Sequence, residues 1–575
     1  MEASSRAALL QNAIGTTISG STLITAGRDV VLHGHLPAPG LARSLRPVSN
    51  ATHTHSLQKD EAELARMGYK QELNRELGLM QNFGVSFSVI SVITGIPSLF
   101  LYGLNIGGPV VMVWGWVVVC FFTMSVGLSM AEICSAYPTS GGPYFWSAML
   151  SRKGNAPLAS WITGWFNLLG QVAITTGISF ACATFISTVL SMLNTSFVPT
   201  PWTTIGIYAA VLFSQGLTNT FGVHKLHSLN NVSVWWHALG TTSLVIAILA
   251  KAPKHQSAKF VFQTFIDGTG PPGQGWGDRA SHAYVVIIGV LMAQYTLTGY
   301  DASAHMTEET RNAAMSGSIG IIMSLGVSAV LGWFLILGLL FSIQDLGTTL
   351  ASRTGQPVTQ IFLDTVGETG AKVLMVIVIG AMYFCGTFSI TSNSRMMYAF
   401  ARDGGIPGHR FFSKVNQRWK SPVRTVWLAC TLSFILGLPS LGSSVAFAAA
   451  TSIATIGLYI SYGIPIALRV IYRDQFVRGP FHLGKFSYPV AATAVIWIAF
   501  ISIAFILPSL NPVNLQTFNY AIVAVGIVII YSVGFWLLSV RKWFKGPIKQ
   551  IAVEEMQGIP TSSHSPNWDS DTLYE

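Results

Sequence analysis

The sequence predicts an all-α polytopic membrane protein of twelve transmembrane helices, the first and sixth broken partway across the bilayer. Three observations carry this. The 575 residues are 51% hydrophobic and only 10% charged, against roughly 25% charged in an ordinary soluble domain. Twelve stretches stay apolar over about the 20 residues that a helix needs to cross a bilayer. Two of them carry nearly the same interruption, Ile93-Thr94-Gly95-Ile96-Pro97 and Leu297-Thr298-Gly299-Tyr300-Asp301.

The predicted spans run near 83–103, 110–132, 157–189, 203–221, 229–250, 283–303, 317–342, 371–393, 424–440, 443–468, 488–508 and 518–540. The ninth is short, and its border with the tenth falls at Leu438-Pro439-Ser440. Before them, residues 1–82 form an N-terminal tail. Its first sixty residues are rich in Ser, Ala, Gly and Pro, a composition that predicts disorder. From Lys59 to Glu76 charges of both signs recur at helical spacing, which predicts a short helix feeding span one. No apolar core ends in a small-residue cleavage site, so span one is expected to act as its own uncleaved anchor. Residues 541–575 form a C-terminal tail, acidic and Ser/Thr-rich after Lys549, which reads as a regulatory or trafficking segment.

An even number of spans puts both termini on one side, and basic residues choose the side. With cytosolic termini, 27 of the 33 Lys and Arg residues fall in cytosolic segments, and four of the other six lie between spans five and six. That asymmetry is the positive-inside pattern. The formal charge of +10 is therefore expected to serve orientation and attraction to the lipid leaflet, and no nucleic-acid partner is expected. The sequon Asn194-Thr195-Ser196 falls in a loop placed outside, so Asn194 is a candidate glycosylation site. The sequon at Asn50 falls in the cytosolic tail and should be silent. Five cysteines without CxxC spacing read as small buried hydrophobes. No metal and no cofactor is expected. The plasma membrane is the expected location, with the vacuole or another organelle as the alternative.

The two interruptions carry the functional reading. A helix broken at the midplane exposes N–H and C=O groups that lipid cannot satisfy, so it is tolerated only against protein or a water-filled cavity. Matching breaks in two halves of a chain point to the substrate site of a secondary transporter. In span one Pro97 frees the carbonyl of Ile93 and Gly95 supplies the freedom to unwind. The half-helix after Pro97 would turn its N–H groups and positive dipole end to the gap, which suits a carboxylate. In span six the freed carbonyls suit an ammonium, and the rings of Tyr295 and Tyr300 suit a cation. Asp301 is an ionisable residue inside a span and so a functional candidate. Glu132 ends span two and is a candidate inner-gate partner for Arg395 or Arg402. Glu308, Glu309 and Arg311 read as a solvated loop helix.

These residues resemble the amino acid–polyamine–organocation (APC) superfamily of permeases, in the branch that holds fungal choline and GABA permeases and plant bidirectional amino-acid permeases. The motifs are Gln71-Glu72-Leu73-Asn74-Arg75-Glu76, Met130-Ala131-Glu132-Ile133-Cys134-Ser135-Ala136-Tyr137-Pro138-Thr139-Ser140-Gly141-Gly142, Thr298-Gly299-Tyr300-Asp301-Ala302 through Glu308-Glu309-Thr310-Arg311-Asn312, and Ser394-Arg395-Met396-Met397-Tyr398-Ala399-Phe400-Ala401-Arg402-Asp403-Gly404. The resemblance implies a ten-helix core of two inverted five-helix repeats, with spans eleven and twelve added. It implies a carboxylate site at Thr94, Gly95 and Ile96, and an amine site at Tyr295, Thr296 and Thr298 beside Gly299. Family members usually carry Gly-Ser-Gly or Gly-Thr-Gly in span one, where this chain has Ile93-Thr94-Gly95. In span five some sodium-independent members carry a Lys six residues after an Asn. Here the Asn is Asn231 and the residue six on is His237. Histidine titrates near neutral pH, so His237 and Asp301 are the candidate proton carriers.

The expected activity is secondary active transport of an amino acid, GABA or a related small amine, coupled to protons by alternating access. A choline or polyamine permease, or a carrier of a specialised nitrogenous metabolite, is the alternative within transport. A non-transporting nutrient sensor is the alternative outside it. HExxH, GxSxG and clustered His/Asp metal patterns are absent from the sequence, which argues against an enzyme.

Overall fold

Among the described residues, ten helices are long and apolar enough to cross a bilayer. They are Leu79–Asn105, Gly108–Ala136, Lys153–Leu193, Leu226–Lys251, Ala313–Phe341, Pro357–Arg402, Val423–Leu441, Ala446–Ile471, Gly484–Ala504 and Ala521–Leu538. Pro201–Phe221 and the segments His282–Gly289, Leu291–Thr296 and Ala302–His305 occupy the predicted fourth and sixth spans. The computed structural model describes residues 21–26, 29–34, 48–194, 196–221, 225–441 and 446–547.

The chain divides into two compact units, Met1–Thr54 and His55–Glu575. In the first, Ser21–Ala26 pairs antiparallel with Asp29–Gly34, from Ser21 opposite Gly34 to Ala26 opposite Asp29. Composition alone predicts disorder there. The runs Leu23-Ile24-Thr25 and Val30-Val31-Leu32 supply the β-favouring residues that override it.

In the second unit, local sequence sets where helices begin. Proline stands in the first turn of Gly108–Ala136, Ala156–Leu193 and Pro357–Arg402, where its missing N–H costs nothing. Span eight bends where Gly367 takes a φ of 72°. Packing between spans relies on small residues, as expected where lipid competes equally for apolar side chains. At the crossing of spans three and ten a Cβ on Gly457 would sit 2.9 Å from the Gly170 nitrogen, so the two backbones touch.

Spans one and six lie side by side at the centre. We call proximal the side holding the residues before span one, and distal the side holding Asn105 and Gly268. On the proximal side Leu77 pairs with the strand-like stretch after span six: its N–H donates to Glu309 O, and its carbonyl accepts from Arg311 N. The Arg75 guanidinium donates to the carbonyls of Thr307 and Thr310 at 2.9 and 2.7 Å. The Asp60 carboxylate accepts the N–H groups of Asn312 and Ala313, which satisfies the first donors of span seven.

Candidate functional site

The break in span six lies where the sequence places it. The helix stops at Thr296 and resumes at Ala302, and Gly299 takes a φ of 95°. Span one supplies partners for the freed backbone. Ser86 Oγ donates to Tyr300 O at 2.9 Å and accepts from Ser303 N at 2.8 Å, while Asn82 Nδ2 donates to Ser303 O.

The break in span one lies elsewhere than predicted. Helix runs Leu79–Ile90, stops at Ser91 in the left-handed region (φ 34°, ψ 79°), and resumes over Val92–Asn105. The second half-helix thus begins before Thr94 rather than after Pro97. A non-glycine residue at positive φ is uncommon, and here hydrogen bonds hold it. The Ser91 carbonyl accepts from Thr94 N and Gly95 N, and its hydroxyl lies 2.6 Å from Thr94 Oγ1 and 2.8 Å from His237 Nε2. Pro97 produces a milder kink at Leu99 (φ −112°, ψ 16°). The Thr94 carbonyl accepts from Ser98 Oγ.

His237 therefore meets the break of span one. Its Nδ1 lies 2.7 Å from Ser233 O, and a carbonyl only accepts, so Nδ1 carries hydrogen. Nε2 is left to face the Ser91 hydroxyl. Phe87 packs edge-on to the ring, and the imidazole is buried. Asn231 is exposed and accepts from Gln81 Nε2.

Of the predicted solute residues, Gly95 and Thr296 meet. A Cβ on Gly95 would stand 2.5 Å from Thr296 Oγ1, so spans one and six touch there. Thr296 and Thr298 hydroxyls donate back to Met292 O and Gln294 O, and the Tyr295 carbonyl takes the Thr298 N–H. The Tyr295 hydroxyl faces Gly177 of span three. Ile93 points to Gly240 of span five, so its bulk does not fill the space beside Gly95.

On the distal side a cavity of about 380 Å³ is lined by Ser98, Leu101, Tyr102 and Asn105 of span one, Phe180 and Thr184 of span three, and distal loop residues such as Gln356 and Ser509. None of the seven predicted solute residues lines it. Its floor at Ser98 and Leu99 lies one turn beyond Thr94. Ser98, Tyr102 and Asn105, spaced four and three apart, mark one face of a helix, and that spacing was the signal available for them in the sequence.

The proximal side is closed by buried ion pairs, in a pairing other than the predicted one. Glu132 of span two binds Arg469 of span ten at 2.8 Å, not Arg395 or Arg402. Arg395 binds Glu309 at 2.7 Å and Arg402 binds Glu308 at 3.0 Å. Glu308 is fully buried rather than solvated. Burial alone would raise its carboxyl, but the Arg402 guanidinium and the Ser140 N–H hold it below its ordinary 4.5. Arg402 also lies 3.9 Å over the Tyr69 ring, and the hydroxyls of Tyr69 and Tyr144 both donate to Asp403.

Asp301 is fully buried behind the break of span six. Its Oδ2 accepts from Gln171 Nε2 at 2.8 Å and Asn167 Nδ2 at 3.3 Å, both on span three, and lies 3.3 Å from His305 Nε2. Sequence reasoning missed His305, Asn167 and Gln171. The four-residue spacing of Asp301 and His305 was visible, but the span-three amides lie some 130 residues away. Asn194 is exposed at the distal end of span three.

Over residues 77–530 the chain matches the amino acid permease family. It is 46% identical over 504 residues to the amino-acid permease BAT1 homolog of Oryza sativa subsp. japonica, a match covering 85% of this chain and 96% of that protein. It is 44% identical over 510 residues to amino-acid permease BAT1 of Arabidopsis thaliana, covering 86% and 97%. An uncharacterized amino-acid permease of Schizosaccharomyces pombe is 33% identical over 524 residues, covering 90% and 95%. Two broken central helices, a helical membrane architecture and these full-length likenesses agree: the chain belongs to the amino acid permease family of the APC superfamily, a multi-pass membrane transporter of an amino-acid-type solute and not an enzyme.

Proposed function

We propose that this permease carries a free amino acid by alternating access, driven by protons and independent of sodium, with the proximal side cytosolic. The observation that carries the reading is the chain His237 Nε2–Ser91 Oγ–Thr94 Oγ1, with links of 2.8 and 2.6 Å, at the break of span one. With His237 neutral, Nε2 accepts from the Ser91 hydroxyl, and Ser91 in turn accepts from Thr94. With His237 protonated, Nε2 donates to Ser91, and the Ser91 hydrogen turns to Thr94. The Thr94 hydrogen is then released from Ser91. One proton thereby frees one donor for a solute carboxylate at Thr94, Gly95 and Ile96, beside the N–H groups that open the second half-helix.

The solute ammonium is assigned to the carbonyls of Tyr295, Thr296 and Thr298, made available when Gly95 and Thr296 separate. Solute would enter through the cavity above Ser98, while the Glu132, Glu308 and Glu309 ion pairs keep the proximal side shut. Moving one charge through 100 mV supplies about 2.3 kcal/mol, roughly fifty-fold accumulation, so one proton per cycle drives useful uptake. In this orientation Asn194 faces outward and is glycosylated. Uptake of a labelled panel (neutral and basic amino acids, GABA, choline, polyamines) into a transport-deficient host tests the reading. Saturable uptake confined to free amino acids supports it. Uptake confined to choline or polyamines replaces the solute class.

A further inference from the structure

We propose that Asp301 and His305 form a proton-carrying dyad, separate from His237, whose occupancy holds the proximal gate shut. The inference rests on the proton-driven transport proposed above. His305 lies one turn after Asp301, so the two side chains share a face of the proximal half of span six. His305 Nδ1 is 2.8 Å from the Ser140 carbonyl, which only accepts, so Nδ1 is a permanent donor. The one ring position left to titrate is Nε2, 3.3 Å from Asp301 Oδ2. With neither atom protonated, two lone pairs would face each other in a site with no exposed surface. The contact therefore needs one proton, held either on the imidazole or on the carboxyl.

The surroundings are built for such a proton. Span three offers only neutral amides, Asn167 and Gln171, and both donate to Oδ2. The Tyr462 hydroxyl of span ten is buried and faces the Asp301 carboxylate, to which it can donate. The other titratable groups nearby are Tyr300, next to Asp301 on span six, and Tyr459, whose ring lies 5.8 Å from that of Tyr462. Beyond Ser140 stands Glu308, held by Arg402.

Ser140 links the dyad to the gate. Its carbonyl accepts from His305, while its N–H donates to Glu308 Oε1 at 3.1 Å, and Glu308 binds Arg402. A Cβ on Gly142 would stand 2.9 Å from His305 Cε1, so the turn after span two rests directly on the imidazole. When the proton leaves for proximal water, Asp301 stays a carboxylate and His305 becomes neutral. Their contact then turns repulsive and displaces the ring, which carries its Nδ1 donor away from the Ser140 carbonyl and frees the turn from Glu308. Reprotonation closes the gate again.

The test is proximal access to a reporter cysteine, Thr391→Cys, in the small proximal pocket beside Asn230 and Met306. Labelling by a membrane-impermeant maleimide in inside-out vesicles is measured without solute, over the background of the wild-type protein. Labelling should rise as pH is raised from roughly 5.5 to 8, by no more than about tenfold per unit for a one-proton equilibrium. Asp301→Asn supplies an amide donor to Nε2 that does not titrate, and labelling should stay low across that range. His305→Ala should label fast at every pH. A flat profile in the reporter protein itself, which needs no dyad variant, overturns the proposal. So does a wild-type profile in Asp301→Asn or in His305→Ala. Failure of the transport reading would appear instead as a lack of solute uptake by the unmodified protein.

Discussion

His237 Nε2 lies 2.8 Å from the hydroxyl of Ser91, and Ser91 is the residue at which span one leaves the helix. A ring nitrogen whose partner can both give and take a hydrogen makes the break responsive to one proton. Apparent affinity for the solute should therefore rise as distal pH falls. His237→Ala should flatten that dependence. Ser91→Ala, which keeps the imidazole but cuts its link to Thr94, should flatten it equally. His237→Lys should fix one charge state and slow turnover more than it weakens binding. Initial-rate uptake against pH checks all three. A full pH profile in His237→Ala reduces the residue to packing.

The Gly95–Thr296 contact tolerates no added bulk. Gly95→Leu should abolish uptake with surface expression near normal, because the new side chain wedges spans one and six apart. At Gly299 the backbone itself forbids a side chain: φ is 95°, and a Cβ would stand 2.6 Å from Val89 Cγ1. Gly299→Ala should cost on the order of 1–2 kcal/mol from the left-handed conformation alone, before the clash with Val89 is added. Surface labelling and uptake measured side by side separate loss of function from loss of protein.

Why one break was legible and the other misplaced follows from those residues. Gly299 announces a backbone conformation that only glycine adopts freely, and it marks the gap of span six. Span one breaks at a serine, held by a histidine 146 residues away, while Gly95 and Pro97, which looked like the breakers, sit inside resumed helix. Apolar length was enough to place the ten membrane-length helices among the described residues. Ion-pair partners were not readable: Glu132 and Arg469, or Arg402 and Glu308, meet only through tertiary packing. A composition that suggests a solvated acidic loop at Glu308 carries no sign that the loop is tucked under span eight. The cavity-lining face Ser98, Tyr102 and Asn105 was available as a spacing, but two nearer break residues drew the reading away.

Removing one partner of a buried ion pair strands the other. Arg402→Met should lower stability by about 3–5 kcal/mol, and adding Glu308→Gln should restore most of it. Thermal melting in detergent reads both. The pH sign is fixed by the Glu308 carboxyl, held below its ordinary 4.5 by Arg402 and Ser140. A depressed acid stabilises the fold above its unfolded value and loses that contribution only as pH falls through the lower folded value. In Arg402→Met the buried carboxyl has lost its main cation and rises, so the variant loses stability as pH rises, and the difference in melting temperature should widen from about pH 5.5 to 7.5. A difference that narrows as pH rises through that window contradicts a charged Glu308.

Solute charge should show in competition. The open end of the second half-helix and the Thr94 hydroxyl suit a carboxylate, and Ile93 faces span five. Free amino acids should therefore displace labelled substrate, and their methyl esters should compete at least tenfold less well, roughly the loss of one charge-assisted hydrogen bond. Equal competition by the esters would remove the carboxylate from the site.

Purified protein in sodium-free proteoliposomes, given an imposed inward proton gradient and a labelled amino acid, addresses the central claim directly. Accumulation should exceed equilibrium, collapse with a protonophore, and be unchanged when sodium is added. It should also acidify the lumen in step with solute entry. Uptake that halts at equilibrium under the gradient, or that appears only when sodium is supplied, would contradict a proton-driven amino acid permease.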